Sequence, residues 1–192
     1  MLIHSFVQNS IVNGPGKRFT LWTQGCTKAC KNCYNPETWH KHGFDMNVEN
    51  IVNLIKITDA EGFTITGGDP LEQPDELLEL LKITQKLNLE KGIILFTGFT
   101  LQEIESIGGN TLECLSYIDL LIDGRYQDDS KTFYSLRGSN NQNFHFYSNK
   151  IKLEDVEFDH EIEIGNSNNL IYLTGFPNLN KNELKNMGLT LK

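Results

Sequence analysis

A mixed α/β fold with a mainly parallel sheet is what this chain's patterning predicts, on three observations. Four short apolar runs are each bounded by Gly, Asp or Pro. Between them lie stretches whose apolar residues recur at the spacing of one helix face. Strand and helix therefore alternate, and a strand joined to its neighbour through a helix makes a right-handed crossover to a parallel partner. A length of 192 residues suffices for one sizeable core, and no long linker or internal repeat divides it, so a single domain over residues 1–192 is expected.

FTLWT at residues 19–23 reads as the first buried strand. Residues 47–60 repeat Val48, Ile51, Val52 and Ile55 on one face and predict the first helix. FTIT at 63–66 is the next strand, and residues 74–87, with Leu77, Leu78 and Leu81 in register, the next helix. Pro74 suits that helix's first turn, where its missing N–H costs nothing. IILFT at 93–97 is followed by Thr100 and Glu103, a capping-box pair that opens a short helix through Ile107, and Gly108-Gly109 ends it. Cys114, in TLECLSY, sits on the apolar face of another short helix, as a buried inert cysteine would. IDLLI at 118–122 is the fourth strand. After Gly124 the pattern changes. A polar stretch containing Arg137 leads to FHFYS (144–148), an acidic alternation over 156–164 and an apolar IYL (171–173). These later strands either extend the sheet or pair as an edge hairpin, and residues 138–149 suit an ordered or a mobile loop equally.

Composition narrows the classes of function. Net charge is −8, from 25 acidic and 17 basic residues, and the basic residues do not gather into one patch, which speaks against nucleic acid as a partner. Hydrophobic residues make up 39% of the chain without any apolar run of spanning length, so no membrane segment is expected. The N-terminus lacks the basic, apolar and small-residue zones of a signal peptide, and a reducing cytoplasm is the expected location.

In such a compartment, clustered cysteines read as metal or redox chemistry. Cys26, Cys30 and Cys33 fall within GCTKACKNCYN, directly after the first predicted strand. That places three soft ligands at the carboxyl end of a parallel strand, where α/β folds keep their chemistry. Structural zinc sites and full-complement iron–sulfur clusters use four protein ligands. Three leave one coordination position for a substrate or cofactor. A zinc site completed by Cys114, His40 or His42, and unligated loop thiols, remain open at this point; Trp39, His40 and His42 otherwise suit packing and solvation. TITGGDP at 64–70 is the second element: paired glycines at a strand's end let a ligand approach the backbone, and a plain strand-to-helix turn is the other reading. GPGKR at 14–18 lacks the spacing of a phosphate-binding P-loop.

Together the CxxxCxxC loop and the GGDP turn resemble the motifs of the radical S-adenosylmethionine (SAM) superfamily. Asp69 stands where glutamate is usual there. NGPGKRFTLWTQGC, CYNPETW, FTGFT, LLIDG and LRGSNNQ, in this order over residues 11–142, resemble the activating proteins of anaerobic ribonucleotide reductases, a glycyl-radical activase family. The activator of pyruvate formate-lyase shares the early motifs but is a longer chain.

The resemblance implies a [4Fe-4S] cluster on Cys26, Cys30 and Cys33, with SAM on the remaining iron. It implies that Gly67, Gly68, Asp69 and Pro70 hold the methionine end of SAM, with Gly68 the nearest backbone. The backbone of Asn32, Cys33 and Tyr34 would approach the adenine. Asn32 replaces an aromatic residue common in the superfamily, and Tyr34 either supplies a ring instead or is an ordinary packed tyrosine. Thr97 and Asp123 end later strands at the same mouth; Asp123 contacts ribose or substrate, as the candidate catalytic residue, or caps the Asp-Gly turn. Arg137 pairs with a carboxylate of the cofactor or partner, or is a surface arginine. The implied partners are the large subunit of an anaerobic ribonucleotide reductase, on which a glycyl radical is generated, and an electron donor such as a flavodoxin. The implied fold is an incomplete, partial TIM-like barrel of the radical SAM type, because a full barrel takes about 250 residues. Two alternatives stand beside this: a small radical SAM enzyme acting on a peptide or small molecule, and a non-catalytic metal-binding interaction module.

Overall fold

The computed structural model describes residues 1–159, 161–167 and 170–176, so the last part of the expected 1–192 domain lies outside the described residues. Seven strands form one open sheet in the order β3-β1-β2-β4-β5-β6-β7. Its first edge is built from β1 (Leu2–Ser10), the antiparallel partner of both β2 (Arg18–Thr23) and the two-residue β3 (Phe44–Asp45). The centre is parallel: β2 pairs with β4 (Gly62–Gly67), β4 with β5 (Ile93–Phe96) and β5 with β6 (Leu120–Asp123). An antiparallel β7 (Asn143–Phe146) closes the other side against β6. The mixed α/β architecture with its parallel centre agrees with the alternating pattern.

The crossovers run through α1 (Val48–Lys56), α2 (Pro74–Gln85), and the pair α3 (Leu101–Ile107) and α4 (Gly109–Glu113). Their apolar stripes meet one face of the sheet, where Phe19, Leu21, Phe63, Ile65, Leu95 and Leu121 pack with Ile51, Val52, Leu77, Leu81 and Ile104. Successive strand residues point to opposite faces, so the intervening positions line the other side. There Ile94, Leu120 and Ile122 form a second cluster with Leu136, Ile151 and with Val156 of α5 (Leu153–Val156).

Several boundaries move from the sequence expectation for local reasons. The first helix stops at Lys56 rather than 60, because the Thr58 hydroxyl turns back onto the Ile55 carbonyl at 2.7 Å. The Thr100–Glu103 capping box forms as expected. The fourth strand occupies 120–123 instead of 118–122, since the chain through Tyr117 is still in a 3-10 turn. The two readings of the later strands are realised in different segments: β7 extends the sheet, whereas β8 (Ile162–Ser167) and β9 (Leu170–Gly175) pair as a separate hairpin. Residues 138–149 are ordered about β7, with Gln142 Oε1 accepting from the Gly138 and Ser139 amides at 2.8 and 3.2 Å. Among the described residues no helix is long and apolar enough to cross a membrane.

Candidate functional site

Parallel strands in one register deliver their following loops to one rim. Four such loops meet here, after β2, β4, β5 and β6. The cysteine loop follows β2. Its entry is stitched to the segment after it: the Gly25 amide donates to the Thr38 carbonyl at 2.7 Å and the Cys26 amide to Trp39 at 3.1 Å. Gln24 Nε2 donates to the carbonyls of Glu37 and His40. Within the loop the Cys33 amide reaches back to the Cys30 carbonyl, and Ala29 and Asn32 take positive φ values of 47° and 54°, which bend the chain sharply between the thiols.

The three thiols are free and half-buried. Burial pushes the Cys26 thiol up to about 11, against the opposing Lys28 amide. Burial likewise raises Cys33, opposed by the Asn35 amide, which donates to its sulfur at 3.4 Å, and by the Trp39 indole. At neutral pH these two thiols therefore keep their protons until a metal displaces them. The buried Trp39 indole nitrogen faces the Cys33 sulfur and meets no other partner among the described residues. An indole donor aimed at one of three half-buried soft ligands is the kind of outer hydrogen bond that steadies a sulfur-ligated cluster, so the donor set fits an iron–sulfur cluster. Among the described residues no three His, Cys, Asp or Glu side chains converge on a single metal ion. Cys114 is fully buried in the helical layer, its sulfur 3.8 Å from the Pro74 carbonyl, among the residues of that core rather than in the cysteine loop.

The GGDP turn sits directly against this loop. The Gly68 amide donates to the Thr23 carbonyl at 2.8 Å and the Asp69 amide to the Gly25 carbonyl at 2.9 Å. A Cβ on Gly68 would stand 2.4 Å from the Gly25 oxygen, and one on Gly67, whose φ is +106°, 2.5 Å from the Thr23 nitrogen. Both glycines are thus required by the contact between the two loops. Asp69 is wholly buried: its carboxylate accepts from the Thr97 hydroxyl at 2.8 Å, the Gly98 amide at 2.9 Å and the Leu71 amide at 3.2 Å. Burial nevertheless raises its pKa to about 6. Pro70 opens the short 3-10 turn that leads to α2.

The remaining expected site residues divide. Thr97 joins the turn through Asp69. Asp123, 2% exposed, is saturated by the chain itself: Oδ2 accepts from the Leu101 amide at 2.7 Å and lies 3.1 Å from His145 Nε2, while Oδ1 accepts from the Asn143 side chain at 3.0 Å. Its cap is on the α3 N-terminus rather than on its own Asp-Gly turn. Asn32 turns outward and donates to Asp128 at 2.7 Å. The Tyr34 ring packs edge-on against Tyr126 and Phe176 at 5.1 and 5.6 Å, as an ordinary packed tyrosine does. Arg137 stacks over Phe144 at 5.5 Å and donates from Nη1 to the Gln142 carbonyl, with its buried Nε unpartnered among the described residues.

Sequence reasoning passed over Thr27, Lys28 and Glu72. Lys28 Nζ lies 3.3 Å from Glu72 Oε1 and 3.3 Å from the centre of the Phe99 ring. Thr27 donates to the same Glu72 oxygen from its hydroxyl and, at 3.3 Å, from its amide. Burial pushes the Glu72 carboxyl up, but the Thr27 hydroxyl and the Lys28 charge outweigh it and hold the group below its ordinary range. The signal was a pair of lysines inside the cysteine motif, of which Lys28 turns to the GGDP side, and an acid just beyond GGDP.

Comparison with known proteins agrees with this geometry. The family model for a 4Fe-4S single cluster domain matches residues 12–145, a span containing the cysteine loop, the GGDP turn, Asp123 and Arg137. A protein of Vibrio cholerae serotype O1 described as anaerobic ribonucleoside-triphosphate reductase-activating protein is 35% identical over 159 residues, covering 77% of this chain and 99% of its own. Proteins of the same description from Enterobacteria phage T4 and Escherichia coli K12 are 37% and 34% identical; the matches cover 68% and 76% of this chain, and 85% and 98% of theirs.

Proposed function

The chain belongs to the family of anaerobic ribonucleoside-triphosphate reductase-activating proteins, with a 4Fe-4S single cluster domain, and on that premise we propose that it is a radical SAM glycyl-radical activase. The observation that carries the reading is the packing of a three-cysteine loop after β2 against the GGDP turn after β4, inside the span that the cluster family matches. When bound, the [4Fe-4S] cluster and SAM supply an electron and a carbon–sulfur bond, whose reductive cleavage gives methionine and a 5′-deoxyadenosyl radical that takes a hydrogen atom from a backbone glycine of the reductase large subunit.

The chain's own contribution is positioning. Cys26, Cys30 and Cys33 each hold one iron through sulfur and leave the fourth to the cofactor. Gly67, Gly68 and Pro70 present backbone to the methionine end, while Asp69 and Thr97, bonded to each other, set where that turn stands. The backbone of Asn32, Cys33 and Tyr34 faces the adenine, with the Asn32 and Tyr34 side chains turned to the protein. Asp123 fixes the α3 N-terminus at the ribose side, and Arg137 offers its unpartnered Nε to a carboxylate. The open sheet, with its crossover helices on one face, reads as an incomplete TIM-like barrel whose unclosed side admits a glycine loop, within one domain that works in the cytoplasm and takes electrons from a donor such as a flavodoxin.

The test is anaerobic reconstitution with iron and sulfide, then measurement of 5′-deoxyadenosine from SAM and a strong reductant, with and without the reductase subunit. Deoxyadenosine together with a glycyl radical signal on the subunit supports the reading. Deoxyadenosine without that signal removes the reductase as target, and no cleavage by a fully reconstituted protein removes the radical SAM assignment.

A further inference from the structure

We propose that Lys28 and Glu72 are positioning residues that lock the cysteine loop onto the GGDP turn, fixing the distance between the cluster ligands and the backbone that receives SAM. The inference rests on the cofactor assignment above. Lys28 lies between two cysteines of the motif, two residues from each, and Glu72 lies two residues after Pro70. Their side chains are only 8% and 16% exposed, so the pair is shielded from solvent on both sides. Glu72 takes three donors from the cysteine loop: the Thr27 amide, the Thr27 hydroxyl and the Lys28 ammonium. The ammonium also sits over the Phe99 ring, and the Lys28 stem packs 3.0 Å from where a Gly98 Cβ would stand. One side chain therefore joins the loops after β2, β4 and β5.

Backbone bonds already tether the start of the cysteine loop, at Gly25, to Asp69. They and the Cys26–Trp39 bond reach only the entry of the loop and not the stretch from Thr27 to Ala29. The contacts of Glu72 with Thr27 and Lys28 attach that stretch to the GGDP side, and two attachments fix an orientation where one does not. Its effect should fall on the geometry of cofactor binding rather than on whether iron is held, because the cysteine sulfurs are unaltered by it. Outer partners of this kind typically contribute about 10- to 100-fold to a metal site's function.

The experiment compares wild type, Lys28→Met, Lys28→Arg and Glu72→Gln, each reconstituted anaerobically, with Cys30→Ala alongside. Iron per chain is measured first. SAM is then titrated while the EPR spectrum of the reduced cluster is followed, and KM and kcat for deoxyadenosine release are determined. Lys28→Met should hold wild-type iron yet need about tenfold more SAM for half of the spectral change, with KM rising more than kcat falls. Lys28→Arg should restore both, since its guanidinium reaches Glu72 and stacks on Phe99. Glu72→Gln, which keeps an acceptor for Thr27, should fall between. Wild-type SAM titration and KM in both Lys28→Met and Glu72→Gln overturn the inference. Iron loss in Lys28→Met that Lys28→Arg does not restore also overturns it, because the residue would then serve only to fold the loop. Cys30→Ala reports separately on the premise: full cluster content there defeats the ligand assignment, whatever the Lys28 variants do.

Discussion

Asp69 stands where two opposing effects can be weighed on one carboxyl group. Three donors, from Thr97, Gly98 and Leu71, favour the charged form, and complete burial disfavours it; burial prevails and raises the pKa from the ordinary 3.8 to about 6. A carboxyl raised by folding contributes stability that is fully present below its unfolded pKa and is lost as pH rises through the folded value. Stability of the apoprotein should therefore fall between about pH 4 and pH 6 on this account, by about 3 kcal/mol. Asp69→Asn should flatten that slope in urea titrations at pH 4, 5, 6 and 7. It should also cost about 1–3 kcal/mol at pH 5, because its amide nitrogen would confront the Gly98 N–H that Oδ2 now accepts from. A steep slope retained in the variant would assign the dependence to another group. Sequence alone made GGDP legible as a turn whose glycines permit close backbone approach, and the approach observed is to the Thr23 and Gly25 backbone. It did not show that the aspartate turns inward to the β5 loop, nor that Asp123 is spent on the α3 N-terminus, because both depend on which loops the sheet brings side by side.

At the scale of elements, the parallel centre was readable because β2, β4, β5 and β6 are apolar runs between helical patterns. The strand β1 was not. Leu2–Ser10 carries His4, Ser5, Gln8 and Asn9, and it is only partly buried along much of its length, so neither alternation nor a continuous apolar run marks it. The GPGKR stretch was legible as part of a family signature and as something other than a P-loop, and its use in the structure is in the sheet. Arg18 is fully buried at the start of β2 and donates to the carbonyls of Pro15, Phe63, Lys91 and Gly92 and to the Thr64 hydroxyl. Burial lowers its pKa to about 9, still charged at neutral pH. One side chain thus ties the amino ends of β2, β4 and β5, opposite the rim that carries the cysteines. Arg18→Met fills much of the volume but strands those acceptors, and should destabilise the protein by more than about 3 kcal/mol in urea unfolding. Gly62→Ala tests the same joint from the other strand, since its Cβ would fall 2.2 Å from Arg18 Nη1. It should destabilise by about 1–3 kcal/mol, and a neutral effect of both substitutions would show the joint to be dispensable.

At the scale of the whole molecule, the two faces of the sheet are covered in different ways, and the difference bears on where activity resides. The crossover helices cover one face. The other is covered by side chains that come after β6: Leu136, Ile151, Val156, Phe144, Phe158 and Phe176. The last of these follows the β8–β9 hairpin, which is fastened to the start of the chain by Asn13 Nδ2 donating to Thr174 Oγ1 at 2.9 Å and the Ile11 amide to Glu163 at 3.0 Å. The cluster-domain match ends at residue 145, and the Vibrio cholerae relative is matched over 99% of its own length while covering only 77% of this chain. The hairpin lies beyond the cluster-domain match yet reaches Tyr34, next to Cys33, through Phe176. Since every residue assigned to the cluster and SAM precedes it, the proposed function predicts that a chain ending at Asp159 holds iron and cleaves SAM as the full chain does. It should lose stability, because the Phe176 contact and two hydrogen bonds go with the hairpin, together worth about 2–4 kcal/mol. For a chain of this size that corresponds to about 5–15 °C in Tm, measurable by calorimetry of the apoprotein. Retained deoxyadenosine formation with a lowered Tm would make the hairpin a brace on the open face. Loss of SAM cleavage at full iron content would instead make the Phe176–Tyr34 contact part of the site, and the boundary of the working domain would then lie beyond the cluster-domain match.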